Sequence, residues 1–321
     1  MKTIMSVIKH KYFSNLLKIL VTSGLLIYAF SKFSVTESIA VIKSANFSWF
    51  GIALLLNFAT VLLQGHKWHY INRYLGIDLP YMETQKLNWV SNFYGFFTPG
   101  KLGGDAYRYI SLNRNPSNSS KAISFISTVI EKLSTLYAVF MLGALSAFYV
   151  DYVYSDIQLS LLIYLFIISV FIILFVFIFY NQIKGWINNV QNNVQWQNKW
   201  MKKVVGLLAL IFDQENLRKT SFVVFIHSLI YQIVSSVIVY VCSIALSMNF
   251  SFFDILLVFS ISTLVTALPI SISGIGVRET IYITLLGAMG GGNTSSLSLS
   301  ILVFLSGLFI VTFGGLISLK R

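Results

Sequence analysis

Residues 297–319 read LSLSILVFLSGLFIVTFGGLISL, an apolar run without one charged side chain. A hydrocarbon core about 30 Å thick needs roughly 20 such residues in a helix, so this stretch is long enough to cross a bilayer. Seven further apolar stretches precede it, at 16–30, 49–63, 122–150, 157–180, 222–248, 255–270 and 280–289. The first two need flanking polar or aromatic residues to complete them, and 280–289 is brief and runs into Gly290-Gly291-Gly292. Composition agrees with this reading. Of 321 residues, 56% are hydrophobic and 11% charged, against about 25% charged in a soluble domain. Two soluble domains would lack the polar surface to coat them, and a chain with 27 Phe and 17 Tyr is too apolar for disorder. A single cysteine, Cys242, excludes a disulfide framework and any CxxC metal site. The expectation is an all-α polytopic membrane protein of about eight transmembrane helices, one integral domain over 1–321.

The net charge of +12 matters less than where the positives fall. With the N-terminus cytoplasmic and the spans alternating, all but three of the 23 Lys and Arg lie on the cytoplasmic side or in its loops. The exceptions are Lys32, Lys43 and Lys132, while Lys67, Arg108 and Arg278 count among the cytoplasmic positives. The loops at 151–156, 249–253 and 290–296 hold neither residue. Such asymmetry is the positive-inside pattern and predicts a multi-pass protein of the cytoplasmic membrane with both termini cytoplasmic. Basic residues before 16–30 imitate a secretion signal, but Tyr28-Ala29-Phe30-Ser31-Lys32-Phe33 is a poor cleavage site. The segment reads as a retained first helix.

Two cytoplasmic loops are longer than connectors need be. Within 65–121, the run LNWVSNFYGFF (87–97) is about half a membrane long. It suits either a re-entrant helix or an amphipathic helix lying flat on the bilayer. Within 181–220, Ile183, Ile187, Val190 and Val194 recur at helical spacing, and Trp186, Trp196 and Trp200 alternate with Lys184, Lys199, Lys202 and Lys203. Rings at headgroup depth beside lysines facing anionic lipid make an interfacial helix, not a nucleic-acid surface. The apolar run 204–212 is expected to dock this loop onto the bundle.

The most informative features are two interruptions: FTPGKLGGDAYR at 97–108 and LPISISGIGVRE at 268–279. Each joins an apolar run to a proline, clustered glycines, an acid and an arginine. Proline removes a backbone donor and ends a helix; glycine then permits positive φ and close approach. Freed backbone groups at membrane depth need protein partners or a water-filled cavity. Helix starts facing such a cavity would offer bare N–H groups and a positive dipole to an anion. Matched broken segments in the two halves of a transporter point to its substrate site. The plainer reading makes both ordinary loops at helix ends, with glycine as C-cap. The two breaks do not align residue for residue, so a repeat is only suggested.

Glu131 and Lys132 fall about nine residues into the third span, where a charge costs roughly 2.5–3.5 kcal/mol. Neighbours on a helix point about 100° apart, so each needs its own partner. Arg108 or Arg278 would suit Glu131; Asp105, Glu279 or a lipid phosphate would suit Lys132. Alternatively both snorkel to the cytoplasmic interface. Asn57, Gln64, His227 and Gln232 read as helix glue, and Cys242 as packing. His10, His66, His69 and His227 form no cluster in sequence, and GxxxxGK[ST], HExxH and GxSxG are absent. Neither a metal nor a cofactor is expected.

With Pro99-Gly100-Lys101-Leu102-Gly103-Gly104-Asp105 and Arg108 on one side and Leu268-Pro269-Ile270-Ser271 through Gly274-Ile275-Gly276-Val277-Arg278-Glu279 on the other, the chain resembles the lysylphosphatidylglycerol synthase transmembrane region, or flippase-like, family. Glu131-Lys132 matches its acidic–basic pair, with lysine where arginine is commoner, and Asp105 stands where the family often carries Glu. The resemblance implies an eight-helix domain linked to lipid handling. In full synthases that domain accompanies a cytoplasmic aminoacyl-transferase, which is not expected here because the sequence closes two residues after its last span.

The reading that follows is a flippase-like translocase for a membrane phospholipid or lipid-linked glycan. Lys101, Arg108 and Arg278 would hold an anionic headgroup, while Glu131 and Lys132 continue a polar path. Gly103, Gly104, Asp105, Pro269, Gly274, Gly276 and Glu279 complete the candidate site, and no residue is assigned as catalytic. One competing reading is a membrane enzyme, or accessory subunit, of lipid or polysaccharide assembly using Asp105 or Glu279 as base or metal ligand. Another is a non-transporting scaffold for an envelope-biosynthesis partner.

Overall fold

A computed structural model of the chain describes residues 35–114, 120–154, 157, 159–193, 199–212 and 217–319. Among them are twelve helices. They are α1 (Val35–Lys43), α2 (Phe47–Tyr74), α3 (Tyr81–Phe96), α4 (Leu102–Leu112), α5 (Lys121–Val153), α6 (Ser160–Ile178), α7 (Tyr180–Asn193), α8 (Lys199–Phe212), α9 (Leu217–Ala245), α10 (Phe252–Thr266), α11 (Val277–Ala288) and α12 (Asn293–Leu319). Four of these, α2, α5, α9 and α12, are long and apolar enough to cross a membrane; two shorter apolar helices lie at Leu162–Ile172 and Phe252–Thr266. The expected span at 16–30 lies outside the described residues, as do Lys2, Lys9, Lys11 and Lys18.

Local chemistry fixes the helix starts. The Asn46 side chain accepts from the Ser48 and Trp49 amides, Ser120 accepts from Ile123, and Ser251 and Asp254 close a reciprocal capping box on α10. Gly76, at φ 71°, turns the chain out of α2. The second span, expected to stop at residue 63, continues unbroken to Tyr74. Gly65, Lys67 and Trp68 are therefore buried helix residues rather than loop residues at headgroup level.

The long helices define two faces of the bundle. Asn46 N–H donates to Ala245 O at 2.8 Å, so α2 starts where α9 ends; Tyr74, Leu217 and Thr220 border one crevice at the opposite face. Helix α3 starts at the Tyr74 face, where the Tyr81 ring packs on His66 and His69, and α4 returns there, with Leu112 in the cluster of Ile71 and Leu75. A Cβ on Gly104 would sit 2.5 Å from Ser91 O, and Ser91 Oγ donates to Gly104 O at 3.1 Å, so α3 and α4 form a tight hairpin. Helices α10 and α11 form the second hairpin, from the Asn46 face. Phe250, just before α10, lies against Gly291, just after α11. The apolar runs 255–270 and 280–289, expected as two crossings, are thus two arms of one hairpin. Because the correction removes a pair of crossings, it leaves the parity of the expected topology unchanged. It also moves Arg278 from a loop to the hairpin tip.

The described bundle then reads as one unit written twice, in opposite directions. Helix, hairpin and helix (α2, α3–α4, α5) span 47–153 with lengths of 28, 16, 11 and 33 residues; α9, α10–α11 and α12 span 217–319 with 29, 15, 12 and 27. The first hairpin starts from the Tyr74 face and the second from the Asn46 face. Equivalent contacts recur. Gly143 of α5 faces Ser260 of α10, and Gly314 of α12 faces Trp89 O of α3. Both Ser260 and Trp89 lie eight residues beyond the start of their helices. The repeat that the breaks only suggested in sequence is one of helix order. A methyl group on Gly314 would collide with the α3 backbone, which cannot rotate aside. Gly314→Ala is expected to lower stability by about 1–3 kcal/mol. Gly51→Ala, which meets nothing within 4 Å, should be neutral or slightly stabilising in the same thermal unfolding series in detergent.

The surface helices match their sequence pattern in part. Ile187 is buried and Trp186 exposed on α7, while Val194 and Trp196 lie outside the described residues. On α8, Ala209 is buried and Leu207 and Ile211 pack against the Trp68 cluster, the docking expected of 204–212. Cys242 is wholly buried in the core between α9, α10 and α12.

Candidate functional site: a charged cavity between two hairpin tips

The two sequence breaks meet. Pro99 and Ile272 form an antiparallel backbone bridge, and a Cβ on Gly100 would lie 2.7 Å from Ala267 O and 3.3 Å from Pro269 N. That approach, together with φ 58°, is why residue 100 is glycine. Around the tips Lys101 (φ 58°), Ser273 (φ 57°), Gly274 (φ 73°) and Gly276 (φ 85°) also take the left-handed turn. The helix starts are not bare, contrary to the sequence expectation. Gly103 N–H donates to Thr98 Oγ1 at 2.8 Å, and Gly276 N–H donates to Glu279 Oε2 at 2.6 Å. Side-chain oxygens have taken the donors that an anion would otherwise meet.

What faces inward is charge on side chains. A cavity of about 330 Å³ lies among the tips and the middles of α2, α5, α9 and α12. Its wall holds Lys101, Asp105, Arg108, Glu131, Lys132 and Arg278, together with Gly100 and Gly104. Asn57, Thr60, Gln64, Gln232, Ser235 and Ser306 supply neutral polar groups from the long helices.

Glu131 accepts from Arg108 Nη1 at 2.7 Å and from Lys67 Nζ at 3.1 Å, with all three side chains almost completely buried. Lys67 also donates to Glu131 O and Ser228 Oγ, each at 3.3 Å, and to Thr135 Oγ1. Arg108 donates to Asn88 Oδ1 and stacks over Trp68, centroid 5.0 Å away, while its Nε has no hydrogen-bond partner among the described residues. The expected Arg108–Glu131 pair is present, and Lys67 is a partner that sequence reading had assigned to a loop. Lys132 pairs with Asp105 at 2.6 Å, as anticipated, and donates to Gly100 O at 3.1 Å, tying α5 to the first tip. Arg278 donates to Glu279 at 2.5 Å and to Ser300 Oγ at 2.9 Å.

The candidate residues thus divide. Lys101, Gly104, Asp105, Arg108, Glu131, Lys132 and Arg278 border the cavity. Gly103 starts α4, Pro269 lies against Gly100, Gly274 packs on the Thr266 methyl, and Gly276 and Glu279 hold Arg278 from behind. Lys101 stands apart: its backbone bonds Thr98, Gly104 and Asp105, but its ammonium, exposed at the cavity, has no ion-pair or hydrogen-bond partner among the described residues. Lys67, Lys101, Arg108, Lys132 and Arg278 outnumber Asp105, Glu131 and Glu279, leaving the site two positive charges in excess.

Asn57, Gln64 and Gln232, set aside in sequence, both glue helices and line the cavity. Asn57 donates to Ser306 Oγ at 3.0 Å, Gln64 accepts from Asn92 at 3.0 Å, and Gln232 donates to Thr135 O at 3.1 Å. A signal for them existed: Asn57, Thr60, Gln64 and Lys67 recur at helical spacing along one face of an otherwise apolar segment. The histidines also come closer than their spacing suggested, with the His66 and His227 rings 5.4 Å apart. Among the described residues no group of three or more His, Cys, Asp or Glu could hold a metal.

Taken together, helical spans, paired broken hairpins and a charged cavity mark a multi-pass membrane protein. Residues 15–315 match the lysylphosphatidylglycerol synthase TM region, and the chain belongs to that family. A comparison with curated proteins found no match.

Proposed function

We propose that the chain moves a lipid with an anionic headgroup across the cytoplasmic membrane, with both of its own termini on the cytoplasmic side. The observation that carries this reading is the cavity at the middle of the four long helices, two positive charges in excess, with the Lys101 ammonium at its wall unpaired among the described residues. A charge at that depth costs free energy unless function or pairing compensates it. The carboxylates are each engaged by cations of the protein, whereas the Lys101 ammonium has no partner among the described residues, which suits it to an anion. At about 330 Å³ the cavity has room for a headgroup and lies at the lower end of ligand-pocket sizes. The enzyme reading is less favoured, because Asp105 is held by Lys132, and Glu279 by Arg278, Ser300 and the Gly276 N–H.

Reconstitution tests the proposal. Vesicles carrying the purified chain and tail-labelled phosphatidylglycerol should show accelerated loss of inner-leaflet protection against an impermeant quencher. Tail-labelled phosphatidylcholine should move much more slowly. Anionic lipid transfer no faster than in protein-free vesicles would overturn the reading.

A further inference from the structure

We infer that each hairpin is the gate to one face of the bundle and that the two gates open in alternation around the shared cavity. The inference rests on the headgroup reading above and adds how the cargo would be passed from one side to the other.

Four observations carry it. First, the units run in opposite directions, the arrangement in which exchanging the shapes of the two units would open the opposite face. Second, the units do differ. The first hairpin leans on α5 through ion pairs, Arg108 with Glu131 and Asp105 with Lys132, whereas the second leans on α12 through Arg278 and Ser300 and a packed layer including Leu286 and Leu299. Third, the tips meet through one isolated backbone bridge, Pro99 to Ile272, and the close approach at Gly100. So small a contact can be broken without unfolding either arm. The outer residues of the tips, Phe97, Leu102 and Leu268, are apolar and about half exposed, so lipid can follow the tips as they part. Fourth, Lys132 donates both to Gly100 O of the first tip and to Asp105. An anion drawn in by Lys101 would compete for the Lys132 ammonium and loosen its hold on Gly100. Occupancy then changes the relative free energy of the closed and open tips, the condition for a ligand to shift a conformational equilibrium.

The test locks the tips. Paired residues of an antiparallel bridge have Cα atoms about 4.5–5.5 Å apart, within disulfide reach. Pro99→Cys with Ile272→Cys, in a Cys242→Ala chain, is expected to cross-link on oxidation and to lose at least tenfold in lipid transfer, with recovery on reduction. Failure to cross-link, or equal transfer when cross-linked and reduced, would overturn the gate while leaving translocation standing. If the reduced double variant is itself inactive, Gly100→Ala decides. Its methyl group cannot share space with Ala267 O, so vesicles containing it should leak inorganic phosphate faster than wild type. Wild-type tightness together with wild-type lipid transfer would overturn the gate. A wild-type chain that moves no lipid beside a leaking Gly100→Ala variant would remove the cargo and keep the gate.

Discussion

Glu131→Gln is expected to destabilise the folded bundle by about 3–5 kcal/mol, the cost of leaving buried charge without its partner. Glu131 is only 3% exposed, and both of its carboxylate oxygens are engaged, Oε1 by Lys67 and Oε2 by Arg108. The amide keeps the shape and removes the charge, so two cations are left facing each other out of water. Neither has an easy escape. Lys67 is fully buried beside Trp68, and Arg108 is packed on the Trp68 ring. A second substitution separates charge imbalance from lost packing. Lys67→Met in the Glu131→Gln background removes one uncompensated cation and should recover a substantial part of the loss. Thermal or denaturant unfolding in detergent reads both effects. An unchanged midpoint in Glu131→Gln would mean that the three side chains are not an interdependent buried network. The same geometry limits what Glu131 substitutions can say about transport, because lost transfer in Glu131→Ala would follow from a damaged fold as readily as from a lost path. Lys101, whose ammonium pairs with no described residue, is the cleaner probe.

The fold was legible wherever one physical rule dominated. Apolar runs at 122–150, 222–248 and 297–319 became α5, α9 and α12 because length and hydropathy leave no other structure for them in a membrane. Proline and glycine at 97–108 and 268–279 marked both hairpin tips, since only broken helices need those residues there. Polar segments misled the reading. Lys67 and its neighbours looked like a headgroup loop because hydropathy scores each residue alone, while the structure cancels Lys67 against Glu131 more than sixty positions away. Likewise 255–270 and 280–289 resemble two spans by composition, whereas helices of 15 and 12 residues whose turn meets Pro99 make one hairpin. The helix starts looked free because capping by Thr98 and Glu279 depends on turn geometry rather than residue type. The inverted repeat was hidden for a related reason. Equivalent positions such as Ser260 and Trp89 are each faced by a glycine of the other unit but share no side-chain chemistry.

Reversing the charge at Lys101 is the sharpest functional prediction. A hydrogen bond from a charged donor contributes about 1.5–3 kcal/mol, and each 1.4 kcal/mol is tenfold in an equilibrium constant. Lys101→Gln, which removes one of the two excess positive charges, should therefore slow anionic lipid transfer roughly 10- to 100-fold. Lys101→Glu cancels the excess and should reduce transfer to the protein-free rate. Lys101→Arg, which keeps the charge at the same backbone position, should stay within a few-fold of wild type. Because the Lys101 ammonium has no ion-pair or hydrogen-bond partner among the described residues, and substitution keeps the backbone bonds of residue 101, none of the three variants should move the unfolding midpoint by more than a small fraction of the Glu131→Gln effect. The pairing of these measurements gives the experiment its force. Transfer that follows the charge at residue 101 while stability stays flat identifies an ammonium that serves the cargo. Equal transfer in Lys101→Glu and Lys101→Arg would mean that no anion meets this side chain on its way through the bundle.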